Sequence, residues 1–91
     1  MELRFTAKFK RDYKRVKRRG KDISKLELTL EALVSGEALP EAMHDHALGG
    51  TYRGHWECHI EPDWLLIYRI DEEGLVLVAT RTGSHSELFG L

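Results

Sequence analysis

The stretch Gly54–Gly83, GHWECHIEPDWLLIYRIDEEGLVLVATRTG, decides the fold. Around its start the residue types alternate. Tyr52, Gly54, Trp56, Cys58 and Ile60 hold the even positions, and Arg53, His55, Glu57 and His59 the odd ones. A period of two predicts a half-buried strand over 52–60 with one polar face. Glu61-Pro62-Asp63 then turns the chain into Trp64–Ile70, apolar on both faces apart from Arg69, as a central strand is. Asp71-Glu72-Glu73-Gly74 reads as a hairpin loop, and Leu75–Thr82, rich in Val, Leu and Thr, as a third strand ended by Gly83. Short turns between consecutive strands make an antiparallel meander.

Upstream the period changes. From Ala7 to about Arg19, Phe9, Tyr13 and Val16 fall on one helical stripe among cations, and Gly20 suits a C-cap. Asp22 or Ser24 caps a second helix, with Glu27 placed to complete a capping box after Ser24. Ile23, Leu26, Leu30, Leu33 and Val34 carry that helix's apolar spacing, and Gly36 and Pro40 mark its stop. Residues 2–5, ELRF, suit a short opening strand. Residues 37–50 read as a loop with one helical turn at 41–44, and the closing SHSELFGL as a helical turn. The expectation is an α+β domain over residues 1–91: a helical hairpin packed on an antiparallel meander of three to four strands, enclosing one core.

No apolar run approaches the roughly 18 residues of a membrane span, and the charged N-terminal MELRFTAKFKRDYK lacks a secretory apolar segment. The single cysteine, Cys58, forms no internal disulfide, which fits the cytoplasm. The net charge of −1 conceals an asymmetry: residues 1–26 hold eleven of the fourteen Lys and Arg residues against three acids, a local net of +8. Such a basic segment suits phosphate backbones, with affinity that falls as salt rises. A solvated helix face is the plainer explanation.

Polar residues collect where strands end. His59 ends the first strand of the meander, Asp63 begins the second, Arg81 ends the third, and His85 follows Gly83 by two positions. The first and third strands run parallel, so these four residues converge on one rim. Cleaving RNA without a metal needs a base for the 2′-hydroxyl, an acid for the leaving 5′-oxygen and a cation for the charge growing on the phosphoryl oxygens. Histidine offers both protonation states near neutrality, and arginine a permanent fork for phosphate oxygens. Trp64 and Phe89 are candidates to stack on an unpaired base. Each has a structural alternative: Trp64 as a packing residue, Phe89 as a pin for the C-terminus, Arg81 as an ion-pair partner of Asp63, and His44 and His55 as ordinary surface residues. A metal site built from His44, His46, Cys58, His59 and Asp63 is disfavoured, because adjacent Cys58 and His59 point to opposite faces. No Cys-x-x-Cys or His-Glu-x-x-His spacing occurs.

Three segments, DHALGG at 45–50, HIEPDWLLIY at 59–68 and RTGSHSELF at 81–89, in that order, resemble the YafQ branch of the RelE toxin superfamily, and the similarity runs over nearly the whole chain. The resemblance implies a RelE-like fold and the toxin of a type II toxin–antitoxin pair. It further implies a metal-independent ribonuclease with no cofactor, which cuts mRNA in the ribosomal decoding site and is neutralised by a cognate antitoxin. Its partners would be that antitoxin, the ribosome and mRNA, with no membrane involved. Carried over residue by residue, the active positions fall on His46, His59, Asp63, Arg81 and His85, flanked by Trp64 and Phe89. His85 then looks like the general acid, His46 and His59 like groups that accept the 2′-proton or hold the phosphate, and Arg81 like the transition-state cation. Asp63 orients a histidine or acts as a base. Lys10, Arg11, Lys14, Arg15, Lys17 and Arg18 would dock on ribosomal RNA. Ala47 stands where relatives often carry proline, and Trp56 where many carry arginine. The alternative reading is a catalytically weak RelE-fold protein that serves mainly as antitoxin partner and operon co-repressor.

Overall fold

The computed structural model describes residues 1–90. Its elements are β1 (Glu2–Phe5), α1 (Ala7–Arg18), α2 (Ile23–Val34), β2 (His46–Ala47), β3 (Trp56–Glu61), β4 (Trp64–Asp71), β5 (Val76–Gly83) and α3 (His85–Phe89), with short 3₁₀ turns at Glu41–Met43, Gly50–Tyr52 and Glu72–Gly74. The fold is α+β as expected, but the sheet has five strands in the order β1-β5-β4-β3-β2. β3, β4 and β5 form the antiparallel meander, and β1 joins its outer side parallel to β5.

Local chemistry sets the helix ends. The Thr6 side chain accepts from the Phe9 N–H at the start of α1, and Asp22, rather than Ser24, caps α2 by accepting from the Ser24 N–H. Phe9 and Val16 are buried from α1, and Leu26, Leu30 and Leu33 from α2. They meet Cys58, Trp64, Leu66, Tyr68, Leu77 and Ala79 from one face of the sheet in the main apolar cluster. The opposite face carries a smaller one: Leu65, Ile67 and Leu88, with Leu48 and Tyr52 packed against them. The loop before β3 and α3 thus cover part of a face that the helical hairpin does not reach.

Three local readings need correction. The first strand of the meander begins at Trp56, not residue 52, because the chain is still turning at Gly50–Tyr52 and at Gly54, whose φ is +87°. His46–Ala47 pairs with Glu57 and Trp56 as a strand inside the expected loop, two residues being too few to show alternation. The register of β5 slips as well: Tyr68 faces Ala79 while Ile67 faces Arg81, leaving Thr80 as an extra residue. A bulge of this kind reverses which face the following side chains take. Leu77 and Ala79 face the helices, and regular alternation would send Arg81 there too. The bulge sends it to the opposite face with Ile67.

Candidate active site

On that second face the register aligns two rows. His59, Leu65 and Gly83 form one; Glu57, Ile67 and Arg81 form the next. Two strand spacings separate Glu57 from Arg81 in their row, roughly 10 Å at the backbone. α3 begins immediately beyond β5 and brings His85 over the first row. The Ser84 hydroxyl accepts from the Glu87 N–H while the Glu87 carboxylate accepts from the Ser84 N–H, a capping box that fixes the first turn.

The geometry around His85 is specific. Asp63 Oδ1 accepts from the His85 backbone N–H at 2.9 Å and lies 2.6 Å from His85 Nδ1. The backbone bond and then the side-chain bond from His85 hold the Asp63 carboxyl below the usual carboxylate range, so it is an anion at neutral pH. An anionic acceptor requires the proton on Nδ1 and leaves Nε2 to face a substrate. The His59 ring lies 5.5 Å from that of His85, centroid to centroid, with His44 at 5.6 Å and His46 at 6.4 Å on its other sides. His44 owes its place to a left-handed backbone after the 3₁₀ turn, with φ of 47°, and its carbonyl accepts from His46 Nδ1.

Glu57 is the residue the sequence reading passed over. It is only 5% exposed, yet its carboxylate lies 3.2 Å from His46 Nε2 and 3.7 Å from His59 Nε2. The alternation of β3 had already placed Glu57 on the polar face with His59; what it concealed was the burial. Glu57, His59 and His85 present one ligand atom each within 4.8 Å of one another, imidazole and carboxylate donors of the kind that hold zinc or copper.

Arg81 does not pair with Asp63. Its Nε and Nη2 donate to Asp12 of α1, at 2.6 and 3.1 Å, and its Nη1 lies 3.4 Å from the Tyr52 hydroxyl. The ion pair with Asp12 raises the arginine's already high pKa further. Phe89, 36% exposed, meets the Tyr52 ring edge-on at 5.8 Å between centroids. Tyr52 was also missed, since its even position assigned it to the core strand.

Other sequence-based assignments change. Trp64 is 1% exposed, and its indole donates to Thr82 Oγ1 at 3.0 Å on the helix side of the sheet. A ring so enclosed cannot stack on a base; it is a packing residue. His55 is no plain surface residue: its ring is partly buried against Tyr52, 5.8 Å away. Of the six α1 cations expected to dock on RNA, Lys10, Arg11, Lys14, Lys17 and Arg18 are exposed. Arg15 is not free for RNA, because it donates to Asp12 at 2.8 Å and forms an ion pair with Glu87 at 2.7 Å. Burial opposes ionisation of Glu87, but the Ser84 N–H and Arg15 overcome it and hold that carboxyl low. Cys58 is buried and its thiol is pushed up to about 12, chiefly by burial, which makes it an inert core residue at neutral pH.

Comparison with known proteins follows the same outline. The mRNA interferase toxin YafQ of Escherichia coli K12 is 34% identical over 90 residues, covering 98% of this chain and 96% of its own. The E. coli DinJ–YafQ complex superposes with a TM-score of 0.88 at 34% identity, covering 98% of both chains. A metal-bound toxin from Helicobacter pylori does so with a TM-score of 0.91 at 35% identity, covering 98% of this chain and 99% of that one. The sequence pattern of the family described as "Bacterial toxin of type II toxin-antitoxin system, YafQ" matches residues 1–90. The chain therefore belongs to the YafQ family of bacterial type II toxins.

Proposed function

We propose that this toxin acts in the cytoplasm as a ribosome-dependent, metal-independent endoribonuclease that cuts mRNA in the decoding site. The observation that carries the reading is the continuous side-chain group Asp63–His85–His59–Glu57–His46 on one sheet face. A base takes the 2′-hydroxyl proton, the 2′-oxygen attacks phosphorus, and the 5′-oxygen leaves with a proton, giving a 2′,3′-cyclic phosphate. His85 protonates the leaving oxygen through Nε2. Asp63 orients it: both its bonds run to His85, and its lowered pKa makes it a weak base. Glu57, His46 and His59 supply the base and hold the phosphate. Arg81 offsets charge on the phosphoryl oxygens, while Phe89 and Tyr52 provide the aromatic surface that buried Trp64 does not.

Exposed Lys10, Arg11, Lys14, Lys17 and Arg18 give the docking surface for ribosomal RNA, so neutralising four of them weakens ribosome co-sedimentation and flattens its salt dependence. As its E. coli relative is found with DinJ, this toxin takes a cognate antitoxin whose acidic segment meets the same basic surface.

The test is mRNA 5′-end mapping with purified protein, with and without programmed ribosomes, for the wild type and His85→Ala. Cuts are expected only with ribosomes and only from the wild type. Equal cutting of naked mRNA would remove the ribosome from the mechanism. Unchanged cutting by His85→Ala would remove His85.

A further inference from the structure

A carboxylate in the basic helix has an unexpected position. Asp12 sits among cations that mostly face solvent, yet it is 2% exposed. The reason is where α1 runs. β1 pairs with β5 only as far as Ala79; there the Thr6 N–H donates to the Ala79 carbonyl and the Thr6 hydroxyl to the Thr80 carbonyl. α1 then continues alongside the last residues of β5, where, among the described residues, no strand pairs with that edge. Asp12 takes over the pairing: its Oδ2 accepts from the Thr82 N–H at 3.2 Å. The carboxylate is thereby fixed to the backbone that carries Arg81.

We infer that Asp12 is a positioning residue for Arg81, holding one edge of its guanidinium so that the other edge is presented to the RNA phosphate; this rests on the reading of Arg81 given above. An arginine has five N–H groups on two usable edges, the side edge of Nε and Nη2 and the end edge of Nη1 and Nη2. Asp12 occupies the side edge with both its oxygens. One N–H on Nη1 and one on Nη2 remain for the end edge, with the Tyr52 hydroxyl 3.4 Å from Nη1 as a lateral stop. A fork held in this way meets two phosphate oxygens without losing rotamer freedom at that moment.

The charges permit it. Asp12 binds Arg81 and Arg15, and Glu87 binds Arg15 and Arg19. Three cations share these two anions, so this cluster keeps a net positive charge even though Arg81 is paired. Without Asp12 the guanidinium is free to swing towards Glu87 or solvent, and the Thr82 N–H loses its acceptor.

The measurement is single-turnover cleavage of ribosome-bound mRNA by the wild type, Asp12→Asn, Arg81→Ala, the double variant and Arg81→Lys. A residue acting through Arg81 gives a non-additive cycle. Asp12→Asn is expected to cut the rate by roughly 10–100-fold in the wild-type background and to change nothing further once Arg81 is Ala. Equal losses in both backgrounds would make Asp12 a structural residue only and overturn the inference. Should Asp12→Asn fail to fold, Arg81→Lys decides: it keeps the charge but cannot be held by one edge while offering another. Its rate should approach that of Arg81→Ala, and a wild-type rate would overturn the inference. A wild-type rate for Arg81→Ala would instead overturn the role of Arg81 itself.

Discussion

The two faces of the sheet use neighbouring residues of the same strands for opposite purposes. Trp64, Leu66 and Tyr68 of β4 face the helical hairpin, where the main apolar cluster has few polar groups, and each of those is satisfied locally, as the Trp64 indole is by Thr82. Leu65 and Ile67, between them in sequence, form the floor under Glu57, His59 and Arg81 on the other face. Burial of the odd residues is achieved with little cover, by Leu48, Tyr52 and Leu88. The lesson is that a small fold can keep its stability on one side and its chemistry on the other, one residue apart. Substitutions on the site face should cost rate with little stability, and substitutions on the helix face should cost stability first.

His85→Ala is the strongest test of that division. Loss of a general acid costs about 10²–10⁴ in rate, equivalent to roughly 2.7–5.4 kcal/mol of transition-state stabilisation. His85 lies at the first turn of α3 and its side chain is substantially exposed, so thermal unfolding should move little. A large fall in Tm with a proportionate fall in rate would erase the distinction. Trp64→Ala is the counterpart. Removing a fully buried tryptophan costs about 3–5 kcal/mol, and denaturant unfolding should show a lower midpoint. The rate per folded molecule should hold at a temperature where the variant remains native. Loss of rate in fully folded protein would return Trp64 to the site.

What could be read from the sequence follows the same line. The helix face was legible, because burial against helices imposes regular periods: Phe9 and Val16 on α1, Leu26, Leu30 and Leu33 on α2, and the even positions Cys58 and Ile60 of β3. The site was legible in its members but not in its contacts. His59, Asp63 and His85 were traceable to one rim by counting strands, and their meeting is seen in the 2.6 Å and 5.5 Å separations. The partner of Arg81 was not, since the bulge at Thr80 leaves no mark in residue type, and Asp12 resembles any other charge on a basic helix. Glu57 looked like an exposed strand residue because alternation reports direction, not cover; the cover comes from His46 and β2, too short to signal itself. Trp64 was misjudged for the opposite reason. The resemblance placed it beside the catalytic positions, whereas its place in the strand directs it into the core.

Gly83 joins the two faces and gives an intermediate effect. Its φ is +156°, and a Cβ there would lie 3.0 Å from Glu87 Oε1 and 3.2 Å from Arg15 Nη2. Gly83→Ala should therefore strain the backbone and displace the capping box that seats His85, at a cost of about 1–3 kcal/mol in stability. Rate and stability should fall together, unlike either variant above. A stable Gly83→Ala with wild-type rate would show that α3 does not depend on this close approach.

The smallest effect concerns Asp63, and its sign follows from linkage. The carboxyl titrates lower in the folded protein than in the unfolded chain, first because of the His85 backbone N–H and then because of its side chain. As pH falls, the unfolded state takes up this proton first. The contribution to stability is therefore fully present above the ordinary aspartate pKa of about 3.9, and it is lost as pH falls through the lower folded value. Asp63→Asn removes the titration. Its Tm should lie below that of the wild type at pH 7, and the gap should close as the solution is taken below pH 4, with both proteins then unfolding alike as far as this site is concerned. Asp63 is exposed, so the gap should also shrink with added salt. A gap that stayed constant from pH 7 to pH 3 would mean that the asparagine disturbs packing rather than charge. The Asp63–His85 pair would then be a steric seat for the histidine, and the site face would draw more of its order from shape than from electrostatics.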